Sequence, residues 1–150
     1  MQNDEPRLKI LVLTDSAANP RSFPPSMVVQ VEETYPYLLR RAFPSAVFYQ
    51  LSFGNIVYVS GKGPGTAFKG DITAQTKNVL DQIEESLKIA GSSMDKVLKV
   101  NVYLTDMKNF EGMNAAYIGR FGADPPVRTT VSVSDIPDHS LVEIDCIAHL

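Results

Sequence analysis

The chain has 150 residues, 44% of them hydrophobic and 21% charged, with 14 Lys and Arg against 17 Asp and Glu for a net charge of −3. These proportions fit one folded domain and exclude a disordered chain, which needs low hydrophobicity and high net charge. The acidic balance argues against nucleic acid as a partner, and no apolar run reaches the ~20 residues of a membrane-spanning helix. One cysteine excludes an internal disulfide, and with two histidines it is a poor supply of metal ligands, so no metal is expected. The polar start, MQNDEPRLK, lacks a signal-peptide layout, and a cytoplasmic location is expected.

The elements follow in order. Residues 8–13, LKILVL, read as a short buried strand. Residues 17–31 hold Pro20, Pro24 and Pro25 and read as a long loop. Residues 32–43 place acids first and arginines last, as a helix dipole favours. VFYQLS and IVYVSG flank Gly54-Asn55, a hairpin signal over 47–61. The glycine-rich stretch 62–70 is loop and matches no phosphate-binding spacing.

Residues 71–90 give the clearest helix. Ile72, Val79, Leu80, Ile83, Leu87 and Ala90 recur at helical spacing, Asp71 suits the N-cap and Gly91 the C-cap. Residues 97–105 alternate, with Leu98, Val100, Val102 and Leu104 on one face and Lys99, Asn101 and Tyr103 on the other. Asp106 suits the cap of a second helix over 107–121, with Met107, Phe110, Met113, Tyr117 and Phe121 expected in the core. Strands follow at 128–134 and 141–148. Cys146 alternates with core residues and is expected to be buried and inert. His139 is expected at the surface and His149 in a frayed end.

Strand parity places Arg128, Thr130 and Ser132 on one face, opposite Val131 and Val133; Glu143 and Asp145 share a face with Leu141 and Ile147. Both helices are expected on one side of a sheet. Its second face then mixes apolar residues with Arg, Glu and Asp, a pattern that suits a subunit interface with charged groups lining a cleft. An arginine there would bind a carboxylate and a glutamate would hold water. The plainer alternative is a surface ion pair on a wet sheet face.

Residues 54–150 resemble the Rid (YjgF, reactive intermediate deaminase) family. The matching pieces are GNIVYVSG, then GDITAQTKNVLDQIEESLKIAGSSMDKVLKVNVYLTDMKNFEGMN, then PPVRTTVSVSDIP, then LVEIDCIA. The resemblance implies an α+β, chorismate-mutase-like fold: a mixed sheet with two helices on one face, here with an N-terminal β-α extension. It implies a homotrimer with clefts between subunits, no cofactor, and hydrolysis of enamines and imines such as 2-aminoacrylate and 2-iminobutanoate to 2-keto acids and ammonia. By the same resemblance Arg128 clamps the carboxylate, Glu143 positions water, Asn114 orders the cleft, and Ser60 and Gly61 border the ligand. Thr130 stands where the family often has cysteine. Lys62 replaces a usual glutamine. Tyr49 is a candidate for a cleft-lining tyrosine.

Residues 8–54 resemble instead the βαβ opening of an SGNH (GDSL-like) hydrolase, with Ser16 at the nucleophile's place. No acid-base partners for such a serine are found. One domain over 1–150 is expected, with an SGNH-like opening over 8–54 and a Rid-like core over 54–150, as in a fusion or recombinant chain. Two further functions remain open: a non-catalytic small-ligand or scaffold protein, and a recombinant without evolved activity.

Overall fold

The computed structural model describes residues 8–12, 27–31, 48–66, 68 and 70–150, with backbone alone for the strand residues before Ser52 and for Phe53. Among the described residues seven strands form one sheet: β1 (Leu8–Val12), β2 (Met27–Val31), β3 (Phe48–Phe53), β4 (Ile56–Lys62), β5 (Val97–Leu104), β6 (Val127–Ser132) and β7 (Val142–His149). Their order is β2-β1-β3-β4-β7-β5-β6. Only β5 and β6 run parallel; each remaining neighbouring pair is antiparallel. Helices α1 (Ile72–Ala90) and α2 (Phe110–Tyr117) pack on it among the described residues, giving an α+β fold.

The core lies between the helices and one face of the sheet. Val79, Leu80, Ile83 and Leu87 from α1 meet Val57, Val100, Val102, Leu104, Val142 and Ile144 from the strands, all fully buried. Each strand contributes alternate residues, as a sheet with one covered face requires. Asp71 caps α1 by accepting the Ala74 N–H at 2.8 Å. Gly91 ends α1 at φ 84°, a left-handed conformation that glycine adopts without steric cost. Gly54 turns the β3–β4 hairpin at φ 59°.

Several expectations change. Residues 27–31, read as loop, form β2; the prolines all precede them, and MVVQV is rich in β-branched residues. Strand β1 pairs antiparallel with both β2 and β3, so this is not the βαβ unit of an SGNH opening, whose strands run parallel. The strands continue the sheet at its β3 edge. The expected helix over 32–43 and Ser16 lie outside the described residues.

Leu98 is half exposed, and Val97 takes its core place, because the β5–β7 register shifts between Val97 and Lys99. The second helix is shorter than expected: Asp106 caps a 3₁₀ turn over Met107–Asn109, and α2 proper starts at Phe110. Met107, expected in the core, is exposed on that turn, whereas Met113, Tyr117 and Phe121 are buried. His149 does not fray: it pairs with Ile56, and the next residue, Leu150, donates its N–H to the Asn55 carbonyl at 2.8 Å.

Removal of the α1 cap tests this account. Asp71→Ala should cost about 1 kcal/mol and lower Tm by roughly 2–4 °C without altering the fold, as checked by calorimetry and circular dichroism.

Candidate active site

Strand β7 sits between β4 and β5 and sends side chains to both faces. Val142, Ile144, Cys146 and Ala148 enter the core, while Glu143, Asp145 and Ile147 are half-buried on the face away from the helices. Burial pushes the Cys146 thiol up to about 12, so the expectation of an inert cysteine holds.

Glu143 lies opposite Tyr103 of β5. On its other side β4 carries a bulge: Val59 pairs with Cys146 and Lys62 with Ile144, so Ser60 and Gly61 occupy the space of one partner residue. The bulge brings the Gly61 backbone against the Glu143 side chain. A Cβ built on Gly61 would stand only 2.0 Å from Glu143 Oε1. Burial first, and the nearby Asp145 charge second, raise the Glu143 carboxyl above the ordinary glutamate value. This makes Glu143 a better proton acceptor than an exposed glutamate. Gly61 and Glu143 thus stand against each other, with Ser60 beside Gly61 in the bulge.

Arg128 belongs to a second group. It pairs with Val100, whose side chain is fully buried in the core, so Arg128 points to the helix side of the sheet. There its Nη1 donates to Asn114 Oδ1 of α2 at 2.9 Å, and its guanidinium carbon lies 4.5 Å from the centre of the Tyr117 ring. Thr130 pairs with the buried Val102 and shares that face. The hydroxyls of Thr130 and Tyr117 are buried and make no hydrogen bond among the described residues. Burial pushes the Tyr117 phenol up to about 12, and it stays protonated at neutral pH. Tyr117 was read from its spacing as core alone; its place three residues after Asn114 on α2 was the available signal for a role beside Arg128.

Arg128 and Glu143 were expected on one mixed face, but within one chain they project from opposite faces. β5 and β6 run parallel, and their register aligns Arg128 with a core residue. Lys62 also lies apart from Glu143. It pairs with Ile144 on the helix side and is buried; desolvation lowers its amine, opposed in part by the Glu85 carboxylate. Tyr49 lies in β3 and is skipped in the pairing with β1; its side chain is outside the described residues.

The second face carries several uncovered apolar residues. Tyr58, Val127 and Val131 are exposed, and Ile147 and Leu141 are half-buried. Among the described residues no helix is long and apolar enough to cross a membrane.

Comparison with known proteins bears on this architecture. Residues 42–150 match the family described as Endoribonuclease L-PSP, which includes the Rid proteins. The chain belongs to this family. Its Rid domain begins ahead of Gly54 and takes in β3, which the sequence reading had placed with the foreign opening. The RutC family protein PH0854 of Pyrococcus horikoshii is 43% identical over 64% of this chain and 80% of its own length. Mitochondrial protein MMF1 of Saccharomyces cerevisiae is 34% identical over 75% of this chain and 82% of its own. The structure of RidA from an Antarctic Psychrobacter matches with a TM-score of 0.66 at 29% identity, over 69% of this chain and 88% of that one. These solved Rid structures share the mixed sheet and paired helices. An Entamoeba histolytica L-PSP structure matches over 93% of this chain and 99% of its own, at 29% identity and a TM-score of 0.66.

Two predictions follow from the Glu143 environment. Gly61→Ala should leave Tm nearly unchanged, because the clash falls on the flexible end of Glu143, yet it should displace that carboxylate; a crystal structure of the variant would display the move. Glu143 binds its proton more tightly folded than unfolded, so its contribution to stability is greatest at low pH and is lost as pH rises through its folded-state value. Glu143→Gln should therefore raise Tm at about pH 8, with the gap closing toward about pH 4 in a calorimetric series.

Proposed function

We propose that this Rid protein hydrolyses small 2-imino acids, among them 2-iminobutanoate and the imine form of 2-aminoacrylate, to 2-keto acids and ammonia. The observation that carries this reading is the pairing of two chemical groups: an arginine ordered by Asn114, and a carboxylate of raised proton affinity held against the Gly61 backbone.

The guanidinium presents a rigid fork of N–H donors that matches a substrate carboxylate, and the bond to Asn114 fixes its orientation. Glu143 accepts a proton from water as the oxygen attacks the imine carbon. On the N-protonated imine that attack forms a C–O bond and moves the C=N electron pair to nitrogen, giving a neutral carbinolamine. Glu143 then returns its proton to the departing nitrogen, the C–N bond breaks, and the hydroxyl gives its proton to the released ammonia, so that its oxygen becomes the keto oxygen and nitrogen leaves as ammonium. Ser60 and Gly61 border the ligand, and Thr130 lies along the strand from the clamp. No cofactor enters the balance.

The two groups face opposite sides of the sheet, which favours a cleft built from two copies: Arg128 from one and Glu143 from the next. The exposed Tyr58, Val127 and Val131 on the second face supply apolar surface for that contact. A cyclic homotrimer satisfies this geometry with three equal clefts. A cytoplasmic setting belongs to the same proposal. RNA cleavage, which the family description evokes, fits less well, because Glu143 and Asp145 put two carboxylates where a phosphate backbone would lie.

The test generates 2-iminobutanoate in situ and follows its decay. Arg128→Ala should raise KM about 100-fold, and Glu143→Gln should lower kcat at least about 100-fold. Equal amounts of the two variants, co-refolded, should recover about a quarter of wild-type activity, the chance that a cleft draws both intact residues from a trimer. Wild-type turnover by Arg128→Ala would defeat the deaminase reading, leaving a ligand-binding Rid protein. Failure of the mixture to recover activity would defeat the shared cleft.

A further inference from the structure

Asp145, Tyr103 and Asn101 take no part in the reaction above, yet they form a hydrogen-bonded cluster beside Glu143. Asp145 Oδ1 accepts from Asn101 Nδ2 and Oδ2 accepts from the Tyr103 hydroxyl, both at 2.8 Å. Asn101 is the cross-strand partner of Asp145, and Tyr103 is that of Glu143. Tyr103 therefore bridges diagonally, standing opposite one carboxylate and bonding the other. The bond to Asp145 is the first cause that raises the Tyr103 phenol, so the proton stays on Tyr103.

The geometry points to Asp145 as a positioning residue for Glu143: a fixed negative charge, tethered at both oxygens toward β5, that strengthens Glu143 as a proton acceptor. Asp145 itself is poorly placed to carry the proton, because each of its oxygens already accepts a bond from β5. Glu143 has Gly61 on one side and Tyr103 on the other, and its side chain is left to meet water. The two carboxylates are two residues apart on one face, roughly 7 Å between Cα atoms. The other titratable or charged groups that β4, β5 and β7 place on this face are Tyr58, Lys99, Tyr103 and His149, and β6 places none. Lys99 is turned to Thr129, whose hydroxyl accepts its amine. The direction of the Glu143 shift, with Asp145 as its named charge, agrees with this arrangement.

The inference rests on the proposed function only where it gives Glu143 the proton from water, and its test has a readout independent of turnover. The carboxyl carbon of Glu143 is followed by ¹³C NMR against pH in the full chain, its signal assigned by its loss in Glu143→Gln. In Asp145→Asn the titration midpoint should fall by about 0.4 pH, as for a unit charge roughly 7 Å away in a water-like surrounding. Tyr103→Phe removes a tether but keeps the charge, so the midpoint should stay raised. The acid limb of kcat/KM for 2-iminobutanoate should move down with the NMR midpoint in Asp145→Asn. Should Asp145→Asn fail to fold, Asp145→Ser removes the same charge with a smaller side chain. An unmoved midpoint in a folded, uncharged variant overturns the proposal, as does a fall in Tyr103→Phe equal to that in Asp145→Asn. Wild-type turnover by Glu143→Gln would instead defeat the functional reading and leave the NMR result to stand on its own.

Discussion

The two-residue period of β7 is the constraint from which the rest follows. A central strand has neighbours on both sides and two faces to fill, and β7 fills them differently. Its even positions are sealed beneath α1 and α2, so the strand cannot slip by one residue without driving Glu143 and Asp145 into an apolar core. Burial of Val142, Ile144, Cys146 and Ala148 therefore sets where the carboxylates stand. The β4 bulge then brings the Gly61 backbone to one of them, and the β5 register brings Tyr103 and Asn101 to both.

The same sheet carries its arginine on the opposite side. That follows from the parallel pairing of β6 with β5, which aligns Arg128 with Val100 and sends the guanidinium onto the Tyr117 ring. A cation over an aromatic face, with an amide oxygen beside it, is ordered before any ligand arrives. The chain thus carries two polar groups, one around Arg128 and one around Glu143, that point to opposite faces of the sheet.

Much of this was legible in the residues. Helix α1 could be read almost to the residue, because its apolar spacing, Asp71 and Gly91 agree with one another. The β3–β4 hairpin was legible from Gly54-Asn55. The motifs singled out Arg128, Asn114, Gly61 and Glu143, and the fold sets Arg128 against Asn114 and Gly61 against Glu143. What the sequence hid were relations between strands. Parity is defined within a strand, so nothing in VRTTVS says which face of β7 its arginine shares; the β5 register decides that. Leu98 and Met107 were misplaced by local irregularities, a register shift and a 3₁₀ turn, which carry no periodic signature. The β2 strand was masked by the prolines before it.

Cys146 has a consequence of another kind. It is the chain's single thiol, it is 2% exposed, and burial holds it in the neutral form. Alkylating reagents act on thiolates, so the native chain is silent toward them. Any cysteine introduced at a surface position becomes the one reactive handle on the molecule. A fluorophore or spin label can be attached there with the natural thiol left in place, giving one reporter per chain for counting copies and measuring distances between them.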